Sequence, residues 1–230
     1  MRTTEVRRER EVLRRQGYRE IILHAAQRVI LRKGFSALTM DDVSQEAQLS
    51  KATVYKYVAS KGDLLFEILG HLFDDIRERL TEIAGGPGRA VDKLGRLVQA
   101  VIRSSEDAQQ INRVLYMDKA MLKLMRVFVP PLGRAGAAPQ ADRKMLAMLR
   151  QKRQQLIDLG ARILEEGVAS GEFRRMDTGQ AAAFIEAVLQ GYTHMRFWQG
   201  DAPLSPDSAS GLARFIIEGI RNPEQPGKEN

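Results

Sequence analysis

Apolar residues recur at helical intervals through most of this chain, and nowhere do they hold a sustained every-second-residue alternation. From Tyr18 to Lys33, the residues Ile22, Ala25, Ala26, Val29 and Ile30 fall at i, i+3, i+4, i+7 and i+8, one face of an amphipathic helix. Arg32 and Lys33 occupy its last turn, where cations suit the negative end of the helix dipole. Gly34 supplies a left-handed stop and Phe35 a hydrophobic lock behind it. Thr39-Met-Asp-Asp then opens a second, short helix, with a hydroxyl to cap it and Asp41 and Asp42 at its positive end. Met40, Val43 and Ala47 face one way, and the helix ends near Gln48. Ser50 caps a third helix almost at once, so two short helices flank a tight turn at Gln48-Leu49-Ser50.

The third helix carries SKATVYKYVASK, residues 50–61. Val54 and Val58 stack at i and i+4 as a narrow apolar stripe, while Ala52, Thr53 and Lys56 point roughly opposite. Tyr55 and Tyr57 fall on the two flanks, where a ring can lie on the protein edge and its hydroxyl reach outward. Ser60-Lys-Gly-Asp63 repeats the capping arrangement. It starts a long helix whose stripe runs Leu65, Ile68, Leu69, Leu72, Ile76, Leu80 and Ile83 up to the Gly85-Gly86-Pro87 break. Further helices are expected at about 88–104, 108–128, 141–169, 178–199 and 206–221, punctuated by the loop 130–140, the Ser-Gly-Glu-Phe turn at 170–173, Gly200 and Asn222-Pro223. The expected fold is all-α. Residues 1–17 form a flexible basic arm, 18–63 a compact three-helix head, 64–222 a larger helical body and 223–230 a polar tail.

Charge sharpens this division. Residues 1–60 hold 12 Lys or Arg against 7 Asp or Glu, net +5 of the chain's +7. A small basic head on a near-neutral body is the electrostatic footprint of nucleic-acid binding, although a solvated arm without a partner would have the same composition. The chain has no cysteine, which excludes disulfides and thiolate metal sites. The arginine-bearing start lacks the apolar segment of a secretory signal, and no run of 18 apolar residues appears, so a soluble cytoplasmic protein is expected.

The stretch LTMDDVSQEAQLSKATVYKYVASKGDLL, preceded by Lys33-Gly34-Phe35, resembles the DNA-binding head of the TetR family of bacterial transcriptional regulators over residues 18–69. The matching features are Thr39, the Ala47-Gln-Leu-Ser50 turn, Thr53-Val54-Tyr55, and Lys61 followed by Leu64-Leu65. Gln48 departs from the pattern where a turn glycine is usual, and Val58 stands where phenylalanine is more common. The resemblance implies a helix-turn-helix head, a homodimer joined mainly through the last two long helices, a ligand pocket in the body, and release from DNA when ligand binds.

A rigid helix entering a major groove presents side chains near its N-terminus to base edges. Ser50, Lys51, Ala52, Thr53 and Lys56 are so placed: Thr53 can bond a base or phosphate, Ala52 can touch a thymine methyl, and the lysines can reach guanine acceptors or phosphates. By resemblance, Thr39, Tyr55, Tyr57 and Lys61 would hold phosphates and fix register. The arm arginines could enter a minor groove or lie along phosphates, or simply be solvated. In the body, Met117, Met121, Met125 and Phe128 form one adaptable apolar row, and Phe184 and Val188 another; either suits a small-molecule pocket or ordinary core. His24, His71 and His194 lie on separate helices without ligand-spaced partners, so no metal site or cofactor is expected. No nucleophile–base pairing or glycine-rich phosphate loop points to an enzyme. The leading expectation is a homodimeric, ligand-responsive repressor of a pseudo-palindromic operator, its effector hydrophobic or amphipathic. The alternative is a helical adaptor whose basic head binds acidic partners without DNA sequence specificity.

Overall fold

The computed structural model describes residues 2–108, 111, 140–198 and 207–223. Among them every regular element is a helix: α1 (Arg2–Lys33), α2 (Met40–Glu46), α3 (Lys51–Tyr57), α4 (Lys61–Gly85), α5 (Ala90–Asp107), α6 (Gln140–Ala169), α7 (Thr178–Trp198) and α8 (Asp207–Ile220). One isolated antiparallel bridge joins Phe173 and Arg221. Two compact units emerge, one of residues Met1–His71 with Gln110–Leu149, the other of Leu72–Gln109 with Arg150–Asn230. The division thus falls inside α4, between His71 and Leu72.

In the first unit α1, α2 and α3 pack on one another. The face expected of α1 is its buried face, with Ile22, Ala25, Ala26, Val29 and Ile30 all at 0% exposure. Phe35, Leu38, Val43, Val54, Val58, Leu64, Leu65 and Ile68 complete the core. Gly34, at φ 84, closes α1 with its amide bonding Ile30 O at 2.8 Å, the left-handed stop read from the sequence. The start of α1 differs from expectation. The helix begins at Arg2, so residues 2–17 belong to α1 instead of forming a separate arm from Gly17 backward. Arginine, glutamate and glutamine are good helix formers, Glu11 and Arg14 pair at 2.8 Å one turn apart, and one interior glycine costs only about 1 kcal/mol.

The second unit is built around α5, against which α7 and α8 pack. Its core includes Leu80, Leu94, Val98, Ile102, Ile163, Leu164 and Phe173. The Ser-Gly-Glu-Phe turn organises it. Gly171 takes φ 79, and Phe173 N–H bonds Gly167 O at 2.9 Å, which drives the Phe173 ring onto Gly167. Glu172 then accepts from the amides of Ala90 and Val91, at 3.3 and 3.1 Å. It caps α5 from a distant part of the chain, because the N-cap residue Arg89 makes no side-chain cap bond. Lys93 is buried, its ammonium donating to Ala84 O at 3.1 Å and to Glu166 Oε2 at 2.7 Å. No helix among the described residues is long and apolar enough to cross a membrane.

Candidate nucleic-acid interface

The helix-turn-helix begins at a complete capping box. Asp42 N–H donates to Thr39 Oγ1 at 3.2 Å, and Thr39 N–H donates to Asp42 Oδ2 at 2.7 Å. Lys33 Nζ reaches the same carboxylate at 2.5 Å. These bonds, that of Lys33 foremost and those of Thr39 next, hold the Asp42 carboxyl down at about 2. Glu46 sits unfavourably in the last turn of α2, at the negative end of its dipole. Arg28 at 2.6 Å and Arg32 at 2.7 Å, one turn apart on α1, compensate it and lower its pKa. The α1–α2 corner is thereby fixed by charge as well as by core.

The turn into α3 passes through Gln48 at φ 55. A glutamine therefore occupies a left-handed conformation that glycine adopts without strain. Ser50 caps α3, its hydroxyl accepting from Thr53 N–H at 3.1 Å and lying 2.7 Å from Thr53 Oγ1. On α3, Val54 and the following Val58 are buried, whereas Lys51, Ala52, Tyr55 and Lys56 are exposed and Thr53 is half-buried. Full burial of one valine contributes about 1.5–3 kcal/mol, enough for this pair to set the helix's rotation. Lys51 pairs with Asp41 at 2.5 Å, a contact that raises the lysine pKa. Lys56 makes no ion pair among the described residues and lies 5.6 Å from the centre of the Tyr57 ring.

Two expected phosphate contacts take other positions. Tyr57 is not on a flank: it is 8% exposed, and its ring stacks on Tyr18 of α1 with centroids 5.0 Å apart and planes 13° from parallel. Standing three residues after Val54, it shares the buried face and anchors the end of α3 to α1. Lys61 is turned inward. Its ammonium donates to Phe35 O at 2.9 Å, Ser36 O at 2.9 Å and Leu38 O at 3.2 Å, which uses all three of its N–H groups. It also stands 4.8 Å from the centre of the Phe35 ring. Lys61 thus ties the α1–α2 loop to the start of α4. Helical periodicity gave no sign of Tyr18 or Lys61 in these roles, since both depend on partners more than twenty residues away. The Arg28–Arg32 pair did carry a signal, two cations at i and i+4 on the exposed side of α1.

Away from the head, Phe184 and Val188 do not line an enclosed space. They stand on the outer side of α7, 63% and 41% exposed, because the core-facing positions of that helix are Ala182 and Leu189. Gly191 and Met195 extend the same stripe, also exposed, and Phe215 on α8 is 71% exposed. Met117, Met121, Met125 and Phe128 lie outside the described residues. An open groove of about 410 Å³ between α5 and α8 is lined in part by Val91, Arg96, Ala213, Arg214 and Ile217. Among the described residues, no group of three or more His, Cys, Asp or Glu could hold a metal ion.

Two short helices joined by a tight turn, the second with its lysines outward on a valine-anchored base, make a helix-turn-helix, and residues 22–68 match the family model described as "Bacterial regulatory proteins, tetR family". These residues therefore resemble the DNA-binding head of TetR-family regulators. It is 22% identical over 205 residues to the HTH-type transcriptional regulator YhgD of Bacillus subtilis (strain 168), covering 88% of this chain and 96% of that one. Over 202 residues it is 25% identical to the HTH-type transcriptional repressor KstR2 of Mycolicibacterium smegmatis, covering 87% and 89% of the two chains. A TetR/AcrR-family transcriptional regulator from Thermobifida fusca superposes with a TM-score of 0.62 at 25% identity, over 88% of this chain and 98% of that one.

Proposed function

We propose that the chain is a homodimeric repressor whose two heads present α3 to successive major grooves of a pseudo-palindromic operator, and that a hydrophobic or amphipathic small molecule bound in the body releases it. The observation that carries this reading is the orientation of α3. Val54, Tyr57 and Val58 turn inward, and Lys51, Ala52, Tyr55 and Lys56 are left as one outward group beside Thr53. In that orientation Ala52, Thr53 and Lys56 meet base edges, while Thr39, Ser50, Lys51 and Tyr55 serve the flanking phosphates. The exposed row of Phe184, Val188 and Met195 on α7, with Phe215 on α8, supports a dimer seam, since large apolar side chains gathered on one side of a helix favour burial against a partner. The repressor sense accords with the similarity to the repressor KstR2 of Mycolicibacterium smegmatis. Release requires only that ligand and DNA favour different arrangements, a coupling of about 1–3 kcal/mol.

The test is an affinity series on a duplex selected by the wild-type protein from a randomised pool. Tyr55→Ala should weaken binding to all sequences alike, because it removes a backbone contact. Thr53→Ala should change which sequence is preferred. Unchanged affinity and preference in both variants would overturn the assignment of α3.

A further inference from the structure

The helical character of residues 2–17 gives the basic arm a defined shape, and its charges a defined side. Arg7, Arg8, Arg10, Arg14 and Arg15 are all exposed. At about 100° per residue, Arg7 and Arg14 lie within about 40° of the direction of Tyr18 around α1, and Arg10 within about 80°. Tyr18 is the residue that stacks on Tyr57 at the end of α3. The arginine row therefore runs along the side of α1 that meets the recognition helix. The only ion pair within the arm among the described residues is Arg14 with Glu11, at 2.8 Å and well exposed. Such a pair is worth little and is easily exchanged for another anion.

We infer that Arg7, Arg10 and Arg14 form a second DNA-contacting surface, which continues the α3 interface along the phosphates flanking the operator. This rests on the reading of α3 given above. Charge selects a polyanion as occupant, and continuity with α3 through the Tyr18–Tyr57 stack selects the same duplex. Shape selects the backbone. An α-helix with side chains is about 10–12 Å across, too wide for a minor groove about 6 Å wide, so a helical arm lies across phosphates instead of entering the groove. From Arg7 to Arg14 the helix rises about 10 Å, which spans several phosphates of one strand at about 3.4 Å each along the axis. Arginine forks suit that target, since each can hold a phosphate through two N–H groups.

The experiment compares the full-length wild type with the triple variant Arg7→Gln, Arg10→Gln, Arg14→Gln, and with the corresponding triple lysine variant. Glutamine and lysine both keep helix propensity close to that of arginine. The probe is the duplex selected by the wild type, extended with flanking base pairs, titrated at several salt concentrations. Three phosphate contacts should contribute about 2.7 to the slope of log affinity against log salt. The wild type and the lysine triple should accordingly lose about 40-fold more affinity between about 50 and 200 mM salt than the glutamine triple loses. A glutamine triple with the wild-type slope overturns the inference, and so does a lysine triple as shallow as the glutamine one. A wild type that selects no duplex at all would instead overturn the underlying reading of α3.

Discussion

Replacing Lys61 by methionine separates two roles that a lysine at the start of α4 can have. In the structure its ammonium is saturated by the carbonyls of Phe35, Ser36 and Leu38. Methionine keeps the length and the apolar stem over Phe35 but offers no donor. The Ser36 contact is exposed, and water can replace it; the Phe35 and Leu38 carbonyls are part-buried, and each loses a bond to a charged donor worth about 1.5–3 kcal/mol. Partial access of water to these two groups brings the expected loss to about 2–4 kcal/mol of head stability. Urea unfolding followed by circular dichroism reads this as a lower midpoint for the first transition. Below the unfolding range, the salt slope of DNA binding should equal that of the wild type, because no phosphate contact has been removed. The reasoning is refuted if Lys61→Met unfolds with the wild-type protein while its salt slope falls by about 0.9, the signature of one lost phosphate contact.

Three further outcomes follow from the structure. Gln48→Gly should stabilise the head by about 0.5–1 kcal/mol, since glycine relieves a left-handed backbone costing about 1–2 kcal/mol but gains freedom in the unfolded chain; a lower urea midpoint would contradict the φ of 55 at that turn. Gly167→Ala would set a methyl 2.0 Å from Cδ2 of the buried Phe173 ring, so thermal unfolding of the second unit should show a loss of about 3 kcal/mol or more, against a negligible one at Gly85, where a methyl meets nothing within 4 Å. Asp42 has a folded pKa of about 2, depressed below its ordinary value of 3.8. Its contribution to stability is therefore complete above about pH 4 and is lost as pH falls through about 2. Carboxyl NMR titration should find that midpoint, and Asp42→Asn should flatten the acid limb of the stability curve.

Much of the head was legible in the sequence because its determinants are local. Thr39 and Asp42 box the start of α2, Ser50 caps α3, Gly34 ends α1, and the valines at 54 and 58 set the rotation of α3; each needs only neighbours within four residues. Gln48 stood out through the resemblance, as a departure from the usual turn glycine, and its φ of 55 is left-handed. The misplacements came where the deciding partner is distant. Tyr57 read as a border residue because its amphipathic ring suits an edge, and Tyr18 moves it into the core. Lys61 is a phosphate ligand only by resemblance, and three carbonyls from the α1–α2 loop occupy it instead. Glu172 gave no local sign that it caps α5, whose first turn lies about eighty residues earlier in the chain. Helix propensity carries α1 through the arm, since the single Gly17 does not interrupt a helix whose other residues favour it.

The central claim is that two copies of α3 read major grooves from opposite ends of one operator. Dimethyl sulfate protection measures it directly, because the reagent methylates guanine N7, the acceptor a recognition helix covers. On the selected duplex the account predicts two protected clusters with dyad symmetry, centred about one helical turn or a whole number of turns apart on one face. A single protected cluster, or binding that leaves every guanine N7 open to the reagent, would contradict it.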